Sequence, residues 1–257
     1  MKTLLLVIVS LTITGCASVS RPLVTSATLT PPGPPPYEAW ARVLTKFVDD
    51  QGRVNFAAAA KDRADLDRFV AYVYDVGPNN QPQLFATADQ VLAFHINAYN
   101  ALAMHKVIET GIPRSLGGLK KVAFFYLGKV QVGGEAISLY EYENKVIRAL
   151  GEPRIHFALN CMAAGCPRLP REPFLPETLN AQLDREARLF FNEPRNVAVD
   201  DLARVLKLSE ILKFYTGDFL AQAPSLAAYA NRYRAQKIPE THAVEFIPYD
   251  WTVNRQP

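Results

Sequence analysis

Cysteine is scarce in this chain: three residues in 257, at positions 16, 161 and 166. That number excludes a scaffold built from disulfides and leaves the fold to a packed core. Excess charge is also missing. Lys and Arg number 28 against 25 Asp and Glu, a formal net charge of +3, and they form no basic run, which excludes nucleic acid as a partner. The apolar run Thr3 to Thr14 is too short to span a bilayer, and no longer one follows it. The chain lacks a phosphate loop, a G-x-S-x-G elbow, an H-E-x-x-H helix and any internal repeat, so no cofactor or bound metal is expected. What is present is an apolar content of 49% with 21% charged residues, the balance of an ordinary globular domain.

The N-terminus carries an address. Met1-Lys2 is a minimal positive start, and Thr3 to Thr14 has the length of a signal-peptide core. It ends in Ile13-Thr14-Gly15-Cys16, which resembles the bacterial lipobox. The resemblance implies that residues 1–15 are removed and that Cys16 takes lipid (palmitate among its acyl chains) and anchors the protein in the cell envelope. Ala17 follows where an Asp would favour the inner membrane, which points to the outer membrane, facing the periplasm. Small residues around Cys16 favour this over a secreted protein with a chance cysteine. Residues 16–36, rich in Ser, Thr and Pro and ending in Pro31-Pro-Gly-Pro-Pro-Pro36, form the anchor and an extended tether. Residues 37–257 form one globular domain.

Within that domain, apolar spacing predicts a helix from Tyr37 to Val48 and a second from Ala58 to Tyr74. Thr87-Ala-Asp-Gln90 is a capping box for a long third helix, which Gly111 and Pro113 end. Phe124 to Tyr126 and Val130 to Val132 read as a hairpin around Gly128. Ser138-Leu-Tyr-Glu141 is another capping box, opening a helix to Leu150. Arg154 to Leu159 alternates like a strand, and a helix runs from Pro176 to Asn192. Asn196–Val199 and Arg204–Leu208 flank a turn at Asp200-Asp201. Ser209 and Ser225 start helices, and Val244 to Ile247 is a last strand. Helices lead the first half and short strands lie between helices in the second. The predicted class is α+β, helices packed on a small, mostly antiparallel sheet.

Several stretches resemble successive motifs of one family, the domain of unknown function 547 family. They are Phe94-His-Ile-Asn-Ala-Tyr-Asn-Ala-Leu102, Val132-Gly-Gly134 with Ser138-Leu139, and Ile155-His-Phe-Ala-Leu-Asn-Cys161 with Gly165-Cys-Pro167. Leu208-Ser209 with Phe214-Tyr215, and Ile247-Pro-Tyr-Asp-Trp251, follow in order. The resemblance runs from about Val54 to Asn254, and His95 stands where the family usually has Trp. It implies fold identity and an envelope setting in bacteria, with a plant branch joined to a leucine-zipper segment. It implies no reaction.

The chemistry concentrates between His156 and Cys166. Three readings stay open. A disulfide between Cys161 and Cys166 suits an oxidising compartment and would stabilise by about 2 kcal/mol on chain-entropy grounds. Alternatively, Cys161 or Cys166 is the nucleophile of a cysteine-dependent hydrolase or transferase, with His156 as base, Asn160 orienting the ring or donating to an oxyanion, and Asp250 as third member. A core helix followed by a His-bearing strand is similar to papain-like and transglutaminase-like domains. In those a cysteine opens the helix, where this chain carries Asn97. The third reading is zinc held by both thiols, His156 and one of His95, His105 or His242. In the long helix, Asn97, Tyr99 and Asn100 are candidate ligand-binding residues, or else they satisfy backbone groups of a neighbouring loop. The expectation carried forward is an anchored envelope protein that binds a ligand or partner. Its pocket would lie between the His156 strand and the long helix, shared by His156 and Asn97.

Overall fold

The computed structural model of the chain describes residues 33–257; the lipobox, Cys16 and most of the tether lie outside the described residues. At Gly33 the chain is already held, since Tyr72 Oη donates to its carbonyl at 2.7 Å.

Helix α1 (Tyr37–Phe47) buries Trp40, Val43, Leu44 and Phe47, the one-face spacing read from sequence. The single helix expected from Ala58 to Tyr74 is two, α2 (Phe56–Lys61) and α3 (Ala64–Asp75). Asp62 and Arg63 leave helical geometry between them, and Arg63 pairs with Asp67 at 3.0 Å and Glu109 at 2.6 Å. Helix α4 (Ala88–Glu109) opens with the expected capping box. Gln90 N donates to Thr87 Oγ1 at 3.2 Å and Thr87 N to Gln90 Oε1 at 3.0 Å. From Leu92 to Ile108 it is buried on every side. At ~1.5 Å per residue it is about 33 Å long and forms the axis of the domain.

The hairpin lies one step later than the sequence suggested. α5 (Leu119–Lys121) runs into a π-helical turn, Val122–Leu127, closed by Gly128 N bonding the Ala123 carbonyl at 2.9 Å. Phe124 and Phe125 are buried together from that turn, which is why they do not alternate as a strand would. β1 (Lys129–Val132) and β2 (Glu135–Ser138) pair antiparallel. Gly133 and Gly134 between them have φ of 57° and 87°, as a two-residue hairpin turn demands. Ser138 then caps α6 (Leu139–Glu141) through its capping box, and a second π-helical turn follows, Tyr142–Ile147.

The strand expected at Arg154–Leu159 is a 3-10 helix, Pro153–Phe157. Pro153 sits in its first turn, Glu152 accepts from Arg154 N at 2.9 Å, and Ala158 N returns to the Ile155 carbonyl at 2.9 Å. The alternation in sequence has another cause: Ile155 enters the larger of two hydrophobic clusters and Phe157 the smaller. α7 (Leu179–Asn192) follows the proline-rich passage, and β3 (Val197–Asp200) turns at Asp200-Asp201 into antiparallel β4 (Val205–Ser209). α8 (Glu210–Phe214), α9 (Thr216–Leu220) and α10 (Leu226–Asn231) come next, Ser209 and Ser225 capping the first and last. β5 (Ala243–Ile247) joins β4 in parallel. The class is α+β, with one two-stranded and one three-stranded sheet among the described residues.

The C-terminal segment laces these parts together. Gly165 N bonds the Asp250 carbonyl at 2.8 Å, Ala164 N that of Thr252 at 2.7 Å, and Val54 N that of Asn254 at 3.0 Å. Position 165 requires glycine, because a Cβ there would lie 2.7 Å from Asp250 N.

The asparagines of α4 hold the irregular passage that follows the 3-10 helix. Asn97 Oδ1 accepts from Trp40 Nε1 at 3.2 Å and Phe174 N at 3.0 Å. Its Nδ2 donates to the carbonyls of Ala93 (2.9 Å) and Phe174 (2.7 Å). Asn100 donates to the Ala158 carbonyl at 2.9 Å and accepts from Asn160 N at 2.7 Å. Asn160 in turn donates to the Pro167 carbonyl and accepts from Met162 N, both at 2.7 Å. Every polar atom of the Asn97 amide is engaged, so Asn97→Ala strands the Trp40 indole and both backbone groups of Phe174. The expected loss is about 3 kcal/mol, measured by urea unfolding; a loss below about 1 kcal/mol contradicts this account.

Candidate functional site

A cavity of about 360 Å³ opens where the two hydrophobic clusters meet. Both π-helical turns border it, one through Phe125 and Tyr126, the other through Glu143 and Asn144. The 3-10 helix contributes His156, the cysteine loop Cys161 and Cys166, and the C-terminal segment Tyr249 and Trp251. π-helical turns are uncommon and concentrate at functional sites. Here they carry aromatic and acidic side chains into one space.

Three polar groups face this cavity. The first is His156, whose Nε2 lies 2.8 Å from Asp218 Oδ2. Arg148 grips the same carboxylate with Nε and Nη2, both at 2.8 Å. The His156 ring stacks on Tyr215 at 3.9 Å. Burial lowers the basicity of His156, and Asp218 only partly opposes that. Hydrogen bonds from His156 and Arg148 hold Asp218 far below the usual carboxylate range. An ionised carboxylate only accepts, so Nε2 carries the proton and Nδ1 the lone pair. The second group is Glu143, which accepts from Tyr99 Oη at 2.8 Å and from Tyr215 Oη. Burial and the Glu143 charge raise both phenols well above their ordinary values.

The third group is the thiol pair. The expected disulfide is not formed: both cysteines are free, with their sulfurs 2.9 Å apart, well beyond the ~2.05 Å of the bond. Each sulfur is bonded elsewhere instead. Tyr249 Oη lies 2.9 Å from Cys166 Sγ and 3.2 Å from Cys161 Sγ, and Cys161 N donates to Cys166 Sγ at 3.1 Å. Burial opposes ionisation of Cys166, but hydrogen bonds from Cys161, Tyr249 and the backbone outweigh it and lower its pKa. The hydrogen bond to Cys166, together with burial, pushes Cys161 well up. The pair is therefore asymmetric: Cys166 is the sulfur that favours the thiolate, and Cys161 keeps the proton.

Of the residues singled out from sequence, His156, Cys161, Cys166 and Tyr99 line the cavity. Asn97, Asn100 and Asn160 are buried away from it, their amides occupied by backbone. The pocket expected to be shared by His156 and Asn97 is therefore not there. Asp250 is exposed and accepts from Thr252 N and Oγ1, both at 2.8 Å; the carboxylate at His156 is Asp218. The histidines considered for zinc have other partners. His95 bonds Tyr142 Oη at 2.8 Å, His105 lies 3.4 Å from Asp67, and His242 lies 3.1 Å from Asp201. Sequence reasoning missed Glu143, Arg148, Tyr215, Asp218 and Tyr249. Tyr215 stands inside the Phe214-Tyr215 motif, and Tyr249 inside Ile247-Pro-Tyr-Asp-Trp251, next to Asp250. Nothing around Asp218 marks it until Arg148 is seen against it.

Residues 84–191 match the model of the family described as "Protein of unknown function, DUF547", and this stretch is similar to that family. The matched stretch holds α4, the hairpin, both π-helical turns, His156 and the two cysteines; Tyr215, Asp218 and Tyr249 lie beyond it. No curated protein matches the chain, and no solved structure does. Among the described residues no helix is long and apolar enough to cross a membrane.

The lowered pKa of His156 fixes a pH dependence. The unfolded chain takes up a proton near the ordinary value of 6.5, before the folded chain does. Stability is therefore present above that pH and is lost as pH falls through the lowered folded value. His95, pushed down to about 4 by burial, acts in the same direction. Unfolding curves of the wild type and His156→Gln between about pH 8 and pH 5 should show the wild-type advantage shrinking on acidification. A constant advantage across that range contradicts the assignment.

Proposed function

We propose that this chain is a lipoprotein of the cell envelope, anchored through lipid on Cys16 in the outer membrane and facing the periplasm. Its single domain binds a ligand, or a protruding group of a partner, in the cavity beside His156. The observation that carries this function is the cavity itself: aromatic walls with a few convergent polar groups are the usual form of a ligand site. The anchor is supported by the sequence ending at Cys16 alone.

A second function has one specific observation in its favour. Cys161 and Cys166 are not bonded to each other and line the cavity, with hydrogen bonds lowering the pKa of Cys166, which suits a cysteine-dependent hydrolase or transferase. His156 is hydrogen-bonded to neither thiol: its Nε2 bonds Asp218, and the sulfurs bond Tyr249 and each other.

Two measurements test the first function. Anilinonaphthalene sulfonate, an anionic aromatic probe, should bind the purified protein saturably at one site. Leu159→Trp, which fills the cavity, should weaken binding by about tenfold or more, about 1.4 kcal/mol, with circular dichroism confirming the fold. Binding untouched by that substitution counts against the cavity. For the anchor, alkyne-tagged palmitate should label the wild type in growing cells and leave Cys16→Ser unlabelled; an unlabelled wild type removes the lipoprotein assignment.

A further inference from the structure

We propose that Cys161 and Cys166 form a thiol–disulfide exchange site on the cavity wall, whose substrate is a disulfide-bonded small molecule or peptide. This requires neither the anchor nor the cavity ligand proposed above.

Four observations carry it. The sulfurs are 2.9 Å apart, so a movement of about 1 Å closes the bond. Both line the cavity; Cys161 is partly exposed and Cys166 lies buried behind the surface, so a substrate disulfide reaches Cys166 only by entering the cavity. Cys166 Sγ receives the Cys161 N–H at 3.1 Å and lies 2.9 Å from the Tyr249 hydroxyl, donors that stabilise a sulfur anion without a histidine or lysine. The loop that must close is short and pinned from outside: Met162 has a φ of 69°, and Ala164 and Gly165 are bonded to the C-terminal segment at 2.7 and 2.8 Å.

The steps balance. Cys166 thiolate attacks one sulfur of the substrate R–S–S–R, forms a mixed disulfide and expels the first R–S⁻. Cys161 gives up its proton and attacks Cys166 Sγ, forming the Cys161–Cys166 bond and expelling the second R–S⁻. Two electrons pass from the protein dithiol to the substrate, and the two released thiolates are protonated by the protons that left the cysteines. The reverse sequence oxidises a substrate dithiol.

Tyr249 is a positioning residue in this scheme. Burial raises its pKa well above the ordinary value, so it remains a protonated donor. Tyr249→Phe keeps a ring to pack against Trp251 and Phe214, whose centroids lie 4.6 and 5.7 Å away, and removes the hydroxyl alone.

The test is a redox titration of the full mature protein in mixtures of oxidised and reduced glutathione. Samples are acid-quenched, alkylated and weighed by mass spectrometry. The expected result is a reversible passage from dithiol to disulfide as the ratio changes. Cys161→Ser should trap one glutathione on Cys166, and Cys166→Ser should trap it on Cys161 about tenfold more slowly or worse. Tyr249→Phe should move the pH profile of Cys166 alkylation upward. A pair that stays fully reduced at every ratio, or oxidised even in excess reduced glutathione, overturns the proposal. The second outcome marks a static structural bridge. Equal trapping in both serine variants overturns the assignment of Cys166 as attacking sulfur.

Discussion

The structure depends on what three asparagine side chains do for a stretch of backbone that has no secondary structure of its own. From Ala158 to Phe174 the chain runs irregularly through the interior, where unpaired peptide groups would each cost a large share of a domain's stability. Asn100 and Asn160 satisfy its beginning and Asn97 its end. An amide offers donor and acceptor at once, so it stands in for the strand that is not there. That clasp fixes the cysteine loop against α4, and the C-terminal segment then pairs with the loop's outer side. Tyr249 reaches the sulfurs only because both attachments hold.

The cavity follows from the same arrangement. The 3-10 helix sends Ile155 into one hydrophobic cluster and Phe157 into the other, which leaves His156 at the seam. A π-helical turn widens the helix by one residue per turn. The two turns at Val122–Leu127 and Tyr142–Ile147 do this on the facing side of the seam. The space is thus bounded by backbone irregularities on both sides, each with a local hydrogen-bond solution, and side chains do not need to be missing for it to exist.

What could be read from sequence was whatever depends on near neighbours. The capping boxes at Thr87 and Ser138 involve residues three apart, and both formed. The turn at Asp200-Asp201 and the caps at Ser209 and Ser225 are equally local. The alternation at Arg154–Leu159 misled because a period of two says only that neighbours face opposite ways. It does not distinguish a strand from a short helix wedged between two cores. The asparagines of α4 were recognisable as costly to bury, yet which loop they served could not be known without the fold. Asp218 and Arg148 are separated by seventy residues and carry no motif, so their meeting at His156 was invisible. The disulfide followed from proximity and compartment; what neither contained was Tyr249, a third partner for both sulfurs.

The groups at the cavity differ in how much bonding capacity they retain. Arg148 and Asp218 are engaged with each other through two hydrogen bonds. The phenol protons of Tyr99 and Tyr215 are directed at Glu143. Around the cavity the carboxylates of Glu143 and Asp218 stand against Arg148 and Lys121. Selection would come from shape and from aromatic faces, Lys121 being drawn 4.1 Å over Trp251. Displacing any of the paired groups would leave a partner unsatisfied in a largely buried setting, a cost of the order of 1–3 kcal/mol. The thiol pair is different. One phenol serves two sulfurs, and Cys161 keeps the proton while Cys166 favours the thiolate. It is the one polar group here whose bonding can change without stranding a neighbour, which is the property covalent chemistry at this wall requires.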